Sequence, residues 1–268
     1  MKLALWQTVG FPENTRESLD ALELTARAAA AQGAALLLCP ECWLCGYNIG
    51  AAAASLAESP DGPAATRIAD IARRSDITIA YGYAERGDRD GQVYNSVQVI
   101  GTQGRPLSHY RKTHLFGSAE RAVFRPGNGF TAPFALGKLR IGLLICYDVE
   151  FPEAVRALAL MGADLVLVPT AVTEGYGVVP RTLVPARAAE NQLFVAWCNR
   201  TGEERGMRFL GHSCVNGPDG ADLISMGPSE RLAVVDIEPS SRATAQSAYH
   251  YLADRRPEIY APPPTPID

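Results

Sequence analysis

Two kinds of thiol stand out in this chain. Cys39, Cys42 and Cys45 crowd together, whereas Cys146 stands alone at the end of Arg140-Ile141-Gly142-Leu143-Leu144-Ile145. Close thiolates can ligate zinc or an iron–sulfur cluster. The trio has no second C-x-x-C or H-x-x-x-H partner, and after Cys45 the chain runs Gly46-Tyr47-Asn48 without a further cysteine. Cys39 lies in an apolar run, where a cysteine packs as a small hydrophobe. The trio is therefore read as packing, no metal is expected, and a metal-binding regulator is the alternative.

Cys146 has a different setting. The apolar run delivers it to a sharp turn, and Phe151-Pro152-Glu153 opens a helix directly afterwards. A strand–turn–helix junction exposes a side chain and points backbone N–H groups at it, as in a nucleophile elbow. A free thiol, with a pKa of ~8.5, needs a base or a cation beside it to attack. Glu41, after Pro40 at the end of an apolar run, suits a partly desolvated general base. Lys112, in Tyr110-Arg111-Lys112-Thr113-His114, suits a fixed positive charge on a developing oxyanion. Taken singly, Cys146 reads equally as a buried strand-end thiol, and Glu41 and Lys112 as surface charges. His114 and His212 leave open a Cys–His hydrolase instead.

The elements that must hold these groups alternate. Leu3–Trp6, Leu36–Cys39, Ile77–Tyr83, Val93–Ile100, Leu139–Ile145, Asp164–Val168, Phe194–Trp197, His212–Asn216 and Leu232–Ile237 read as strands. Asn14-Thr15-Arg16-Glu17 carries the signature of a helix N-terminus, and Leu19, Leu22, Ala26 and Ala29 continue it to Gly33. Gly62-Pro63 opens a helix ending at Arg73-Arg74, and Pro152 one ending at Gly162. From Leu107 to Gly129 a long polar loop is expected, and from Glu238 to Asp268 a proline-rich irregular tail. Gly33–Glu41 and Gly162–Thr170 match residue by residue: a helix-stopping glycine, a buried strand and a proline. The 268 residues are thus one domain of two similar α/β halves, with no linker between them. In such sheets reactive groups gather at the carboxyl ends of strands, here Glu41, Cys146 and Thr170.

Composition narrows the function classes. The formal net charge of −4 disfavours nucleic acid. No apolar run approaches the ~18 residues of a membrane span. Met1–Gln7 turns polar too early for a secretory signal, so a cytoplasmic protein with six reduced thiols is expected.

Pro40-Glu41-(x)4-Gly46-Tyr47, Tyr110–Leu115 and Leu143–Glu153 together resemble the nitrilase superfamily of carbon–nitrogen hydrolases. So do Tyr94-Asn95-Ser96, Arg187-Ala188-(x)-Glu190-Asn191, Asn199-Arg200, Gly211-His212-Ser213 and Pro218-Asp219-Gly220. The resemblance spans nearly the whole chain. It implies a four-layer αββα sandwich of two pseudo-symmetric halves, with residues 1–240 as the hydrolase domain and 241–268 as a tail in a homodimer interface. It also implies Cys146 as nucleophile, Glu41 as general base, Lys112 and the Tyr147 N–H as oxyanion partners, and Glu120 as a positioning carboxylate. No cofactor is implied. True nitrilases carry Cys-Trp-Glu where this chain has Cys146-Tyr147-Asp148, and N-carbamoyl amino-acid hydrolases place arginines where it has Val149-Glu150. The stretches 41–50, 81–87 and 110–117 are most similar to amidases of small aliphatic amides, including 5-aminopentanamidase and stereoselective amino-amide amidases. The expected partner is a small amide, with an amine on it held by an acidic residue such as Glu174. Tyr47, Tyr147, Thr170, Ala171 and Tyr176 are expected around the substrate. An N-carbamoyl hydrolase, a nitrilase and a catalytically inactive interaction module are the alternatives.

Overall fold

The computed structural model describes residues 1–89 and 91–260. Its strands are β1 (Lys2–Gln7), β2 (Leu36–Leu38), β3 (Thr78–Arg86), β4 (Val93–Ile100), β5 (Pro106–Arg111), β6 (Phe134–Leu136), β7 (Leu139–Leu143), β8 (Leu165–Thr170), β9 (Phe194–Asn199), β10 (Thr201–Glu204), β11 (Met207–Leu210), β12 (Cys214–Asn216), β13 (Asp222–Ser225) and β14 (Arg231–Asp236). The α-helices are α1 (Thr15–Ala31), α2 (Ala52–Leu56), α3 (Pro63–Ser75), α4 (Gly117–Val123), α5 (Pro152–Leu160), α6 (Val184–Asn191) and α7 (Pro239–Ala248).

Two six-stranded sheets are ordered β14-β1-β2-β3-β4-β5 and β13-β12-β9-β8-β7-β6, and β10–β11 form a separate hairpin. Each sheet has a parallel centre, β1–β2–β3 or β7–β8–β9, flanked by antiparallel strands. Side chains alternate across β1 with the strand period of two. Leu3 and Leu5 pack with Leu143, Leu167 and Val195 of the opposite sheet, whereas Ala4 and Trp6 pack with Leu22, Ala26 and Ile68 of α1 and α3. Helices α5 and α6 cover the outer face of the second sheet through Val155, Leu158, Val184 and Ala188. The result is the four-layer αββα sandwich.

The internal repeat lies at the centre of this arrangement. Its copies supply β2 and β8, each preceded by a glycine with positive φ, 82° at Gly33 and 87° at Gly162. There the helix can stop and turn into the strand without a Cβ clash. The two strand ends meet, the Glu41 N–H pointing to the Thr170 carbonyl at 3.4 Å. A Cβ on Gly82 would sit 2.6 Å from the Cys42 nitrogen and the Pro40 oxygen. Only glycine therefore lets β3 pass behind the segment that carries Glu41.

The expected helix starts hold, with the Asn14 side chain accepting from the Glu17 N–H at 3.2 Å and Pro63 in the first turn of α3. Other expectations need correction. The stretch from Leu107 to Gly129 contains β5 and α4, hidden because β5 is a half-exposed edge strand and α4 has only 7 residues. The strand expected to reach Ile145 ends at Leu143, because Asp148 captures the Ile145 N–H at 3.0 Å. The tail is helical over α7, which buries no residue and so shows no apolar stripe. Residues 261–268 of the expected tail lie outside the described residues.

Candidate active site

Glu41, Lys112 and Glu120 arrive from three separate segments and meet in the interior. Glu41 follows β2, Lys112 follows β5, and Glu120 stands in α4. The Lys112 Nζ donates to Glu41 Oε1 and to Glu120 Oε1, each at 2.7 Å. One buried ammonium thus faces two buried carboxylates. Asn95 Nδ2 also donates to Glu41 Oε1 at 2.7 Å. Glu41 Oε2, by contrast, is buried with no hydrogen-bond partner among the described residues. Glu120 is held by the Tyr47 hydroxyl at 2.6 Å and by the Phe116 N–H at 2.8 Å.

Cys146 opens a 3₁₀ turn, Cys146–Glu150, with φ 48°. That left-handed backbone is rare for a side chain other than glycine and holds the thiol at a sharp corner. Asp148 supports the corner. Its Oδ2 accepts from the Ile145 N–H at 3.0 Å and the Tyr110 hydroxyl at 2.8 Å. Its Oδ1 accepts from Thr113 Oγ1 and the His114 N–H, each at 2.9 Å, and pairs with His114 Nδ1 at 2.8 Å. One buried carboxylate therefore ties the nucleophile turn to the segment bearing Lys112. Asp148→Ala should strip all of these donors of their acceptor and cost about 3 kcal/mol or more of stability in denaturant unfolding, with turnover falling in parallel.

The remaining sequence motifs brace this centre. Arg187 donates to the Val149 and Glu150 carbonyls at 3.0 and 2.6 Å, clamping the end of the 3₁₀ turn. Arg200, paired with Glu204 at 2.7 Å, points Nη1 at the Glu41 and Cys42 carbonyls at 3.4 Å. Asn199 Oδ1 accepts from the Val172 N–H at 2.8 Å and so holds the strand end beyond Thr170.

A cavity of about 330 Å³ opens on Cys146 and Glu120. It gathers Tyr47, Tyr147, Ala171 and Tyr176 of the expected substrate contacts, but not Thr170 or Glu174. Thr170 is fully buried behind the site. Glu174 lines a neighbouring shallow groove with Arg205 and Arg208, because its loop turns outward after Thr173. Sequence reading missed Phe116, Val123, Phe124, Met207 and Glu150 in the wall. The first four sit in segments without periodicity and nothing local marks them, whereas Glu150 holds the position where N-carbamoyl amino-acid hydrolases resembling this chain place an arginine. Asn95 did leave a signal, a strand-disfavoured amide inside the valine-rich β4. Neither His114 nor His212 lines the cavity, and His114 instead stacks on Phe151 with ring centroids 4.1 Å apart. Cys39 packs among the helices of the first half, and Cys42 and Cys45 belong to a separate apolar cluster. Among the described residues no three metal-ligating side chains come together.

Burial dominates the electrostatics. It pushes the Cys146 thiol well above the ordinary value, aided by the Glu41 charge and opposed by Lys112 and the Ala171 N–H. The resting thiol is therefore protonated and needs a base during attack. Burial also raises Glu41, with Lys112 pulling it back and Glu120 pushing it further. Burial works against the Lys112 ammonium, yet Glu41, Cys146 and Glu120 outweigh it and hold its pKa well above the usual lysine value. Lys112 thus stays charged and Glu41 has enhanced proton affinity, the pairing that acid–base chemistry at a thiol requires.

Comparison with known proteins agrees with this geometry. Residues 2–246 match the carbon-nitrogen hydrolase family. The protein named "Hydrolase in pqqF 5'region" of Pseudomonas protegens is 43% identical over 97% of this chain and 90% of its own length. An (R)-stereoselective amidase of Pseudomonas sp. is 40% identical over 96% and 92%. Among solved structures, a mutant of the amidase from Nesterenkonia sp. AN1, showing Michael addition of acrylamide at its active-site cysteine, superposes with a TM-score of 0.85. It is 36% identical and covers 97% of this chain and 98% of that one. The chain therefore belongs to the carbon–nitrogen hydrolase family, within the amidase branch of the nitrilase superfamily.

Proposed function

We propose that the chain hydrolyses small aliphatic primary amides to a carboxylic acid and ammonia through a thioester on Cys146. The observation that carries this is the division of labour on Glu41: Oε1 is saturated by Lys112 and Asn95, while buried Oε2 is left to accept a proton. The Cys146 thiol gives its proton to Glu41 as sulfur attacks the amide carbon. The resulting oxyanion is held by the Lys112 ammonium and by the Tyr147 N–H, which lies in the first turn of the 3₁₀ segment where such donors lack intrahelical partners. Collapse breaks the C–N bond, and the leaving nitrogen takes the proton from Glu41 to depart as ammonia. Water then gives a proton to Glu41 and attacks the thioester, releasing the acid and restoring the thiol. Glu120 positions Lys112 and the Tyr47 hydroxyl.

The cavity supports a short acyl chain, since Phe116, Val123, Phe124, Tyr176 and Met207 make much of its wall apolar. Butyramide or a similar amide should yield ammonia and, after acid quench, a protein mass raised by the acyl group on the Cys146 peptide. Ammonia release that persists in Cys146→Ala would refute the reading.

We also propose a cytoplasmic homodimer in which the tail after residue 240 joins the 1–240 hydrolase domain at the interface. Exposed Tyr249, Tyr251, Ile259 and Tyr260 support it, being large apolar groups left facing solvent in one chain. Light scattering should give twice the chain mass; a monomer mass at micromolar concentration would remove this part.

A further inference from the structure

We propose that Phe116 sets the acyl specificity of the cavity: its ring narrows the mouth, so that unbranched acyl groups are accepted and branched or ring-bearing ones are turned away. This rests on the amidase reading above and adds the shape of the acyl group to it. The reacting end of an amide must lie against Cys146, Lys112 and Glu120, which are 5%, 0% and 4% exposed. The unreactive acyl chain therefore points toward the outer part of the cavity. Two rings of the cavity wall stand there, Phe116 at 39% and Tyr176 at 46% exposed.

The two rings meet edge to face, with centroids 5.8 Å apart and planes at 89°. Phe116 meets Tyr147 in the same way, at 5.2 Å and 76°. Three segments thus contribute to one row of rings: Phe116 precedes α4, Tyr147 lies in the nucleophile turn and Tyr176 follows β8. The row is braced behind Tyr147. That ring leans on Phe151 at 4.9 Å, Phe151 stacks on His114 at 4.1 Å, and His114 pairs with Asp148 at 2.8 Å. The root of Phe116 is fixed as well, since its N–H donates to Glu120 Oε2 at 2.8 Å and Lys112 holds Glu120. A ring packed edge to face on two sides and tied at its main chain keeps its place when a broad acyl group presses on it. Met207, unbranched and deformable, is the part of the same wall that adapts. Phe116 therefore discriminates by shape.

The test measures kcat/KM of the full chain for hexanamide and for cyclohexanecarboxamide, in the wild type, Phe116→Ala, Phe116→Trp and Tyr176→Ala. The wild type should favour the linear amide, and Phe116→Ala should lower the linear-to-cyclic ratio roughly 10- to 100-fold, the range that fit in an apolar pocket commands. Phe116→Trp should raise the ratio. Tyr176→Ala changes an exposed side chain and should fold normally. It should lower the ratio by a smaller factor, because it removes the support of the Phe116 ring and not the ring itself. A wild-type ratio near one, or a ratio unmoved by Phe116→Ala and Tyr176→Ala, overturns the proposal while leaving the amidase reading intact. Equal loss on both amides in Phe116→Ala also overturns it, reducing the ring to a support for Glu120. If the wild type releases ammonia from neither of these amides nor from butyramide, the amidase reading itself fails.

Discussion

Glu41→Gln should lower ammonia release from a short primary amide roughly a thousandfold or more, the upper part of the range for a lost general base. The geometry makes this a clean removal. Lys112 and Asn95 both donate to Oε1, so a glutamine keeps its carbonyl on that side. Its NH₂ group then occupies the Oε2 position, where it can donate a proton but not accept one. Folding should not suffer, because one of two carboxylates crowding a single buried ammonium becomes neutral. An unchanged or higher thermal midpoint together with lost turnover is the expected signature. His114→Ala should cost less than about tenfold, since that ring faces Asp148 and Phe151 rather than the cavity. The reverse ranking would restore the Cys–His mechanism. In the wild type the acid limb of kcat/KM should lie above the ordinary carboxylate value of ~4.3. Glu41 must be ionised to act, and burial, with Glu120, raises its pKa.

Lys112→Met should do two kinds of damage. Loss of an oxyanion donor costs roughly a hundred- to a thousandfold in kcat. Loss of the ammonium between Glu41 and Glu120, each 2.7 Å from it, leaves two buried carboxylates against each other. Breaking such a buried pair costs ~3–5 kcal/mol, less whatever a carboxylate recovers by protonation. The pH dependence has a definite sign. Lys112 lowers the Glu41 pKa, so its removal raises that pKa further. A group whose folded pKa is raised contributes stability below its unfolded pKa of ~4.3 and loses it as pH rises through the folded value. The variant should therefore be more stable near pH 5 than near pH 8, and its residual acid limb should move to higher pH. Lys112→Met combined with Glu120→Gln should regain stability but not turnover. Denaturant unfolding at the two pH values, with ammonia release, separates these effects. A single variant equally stable at both would show that Lys112 does not hold Glu41 ionised.

Much of this protein is written in local features of its chain. The helix-stopping glycines, apolar runs and prolines of Gly33–Glu41 and Gly162–Thr170 are local signals, and they specified two like halves. The burial and turn chemistry around Glu41, Lys112 and Cys146 are local too, so their residue types alone suggested acid–base chemistry at a thiol. How those residues are arranged around one another depends on the folded chain. Lys112 between two carboxylates, the free Oε2 of Glu41 and the clamping of two segments by Asp148 are all contacts between segments far apart in the chain. No periodicity encodes them. Which glutamate lines the cavity was decided at that level as well. Glu150 and Glu174 are both glutamates beyond strand ends, but the 3₁₀ turn clamped by Arg187 keeps the first at the cavity. The outward bend after Thr173 carries the second to another groove. Backbone direction at one turn, which depends on what packs behind it, separates a wall residue from a surface charge.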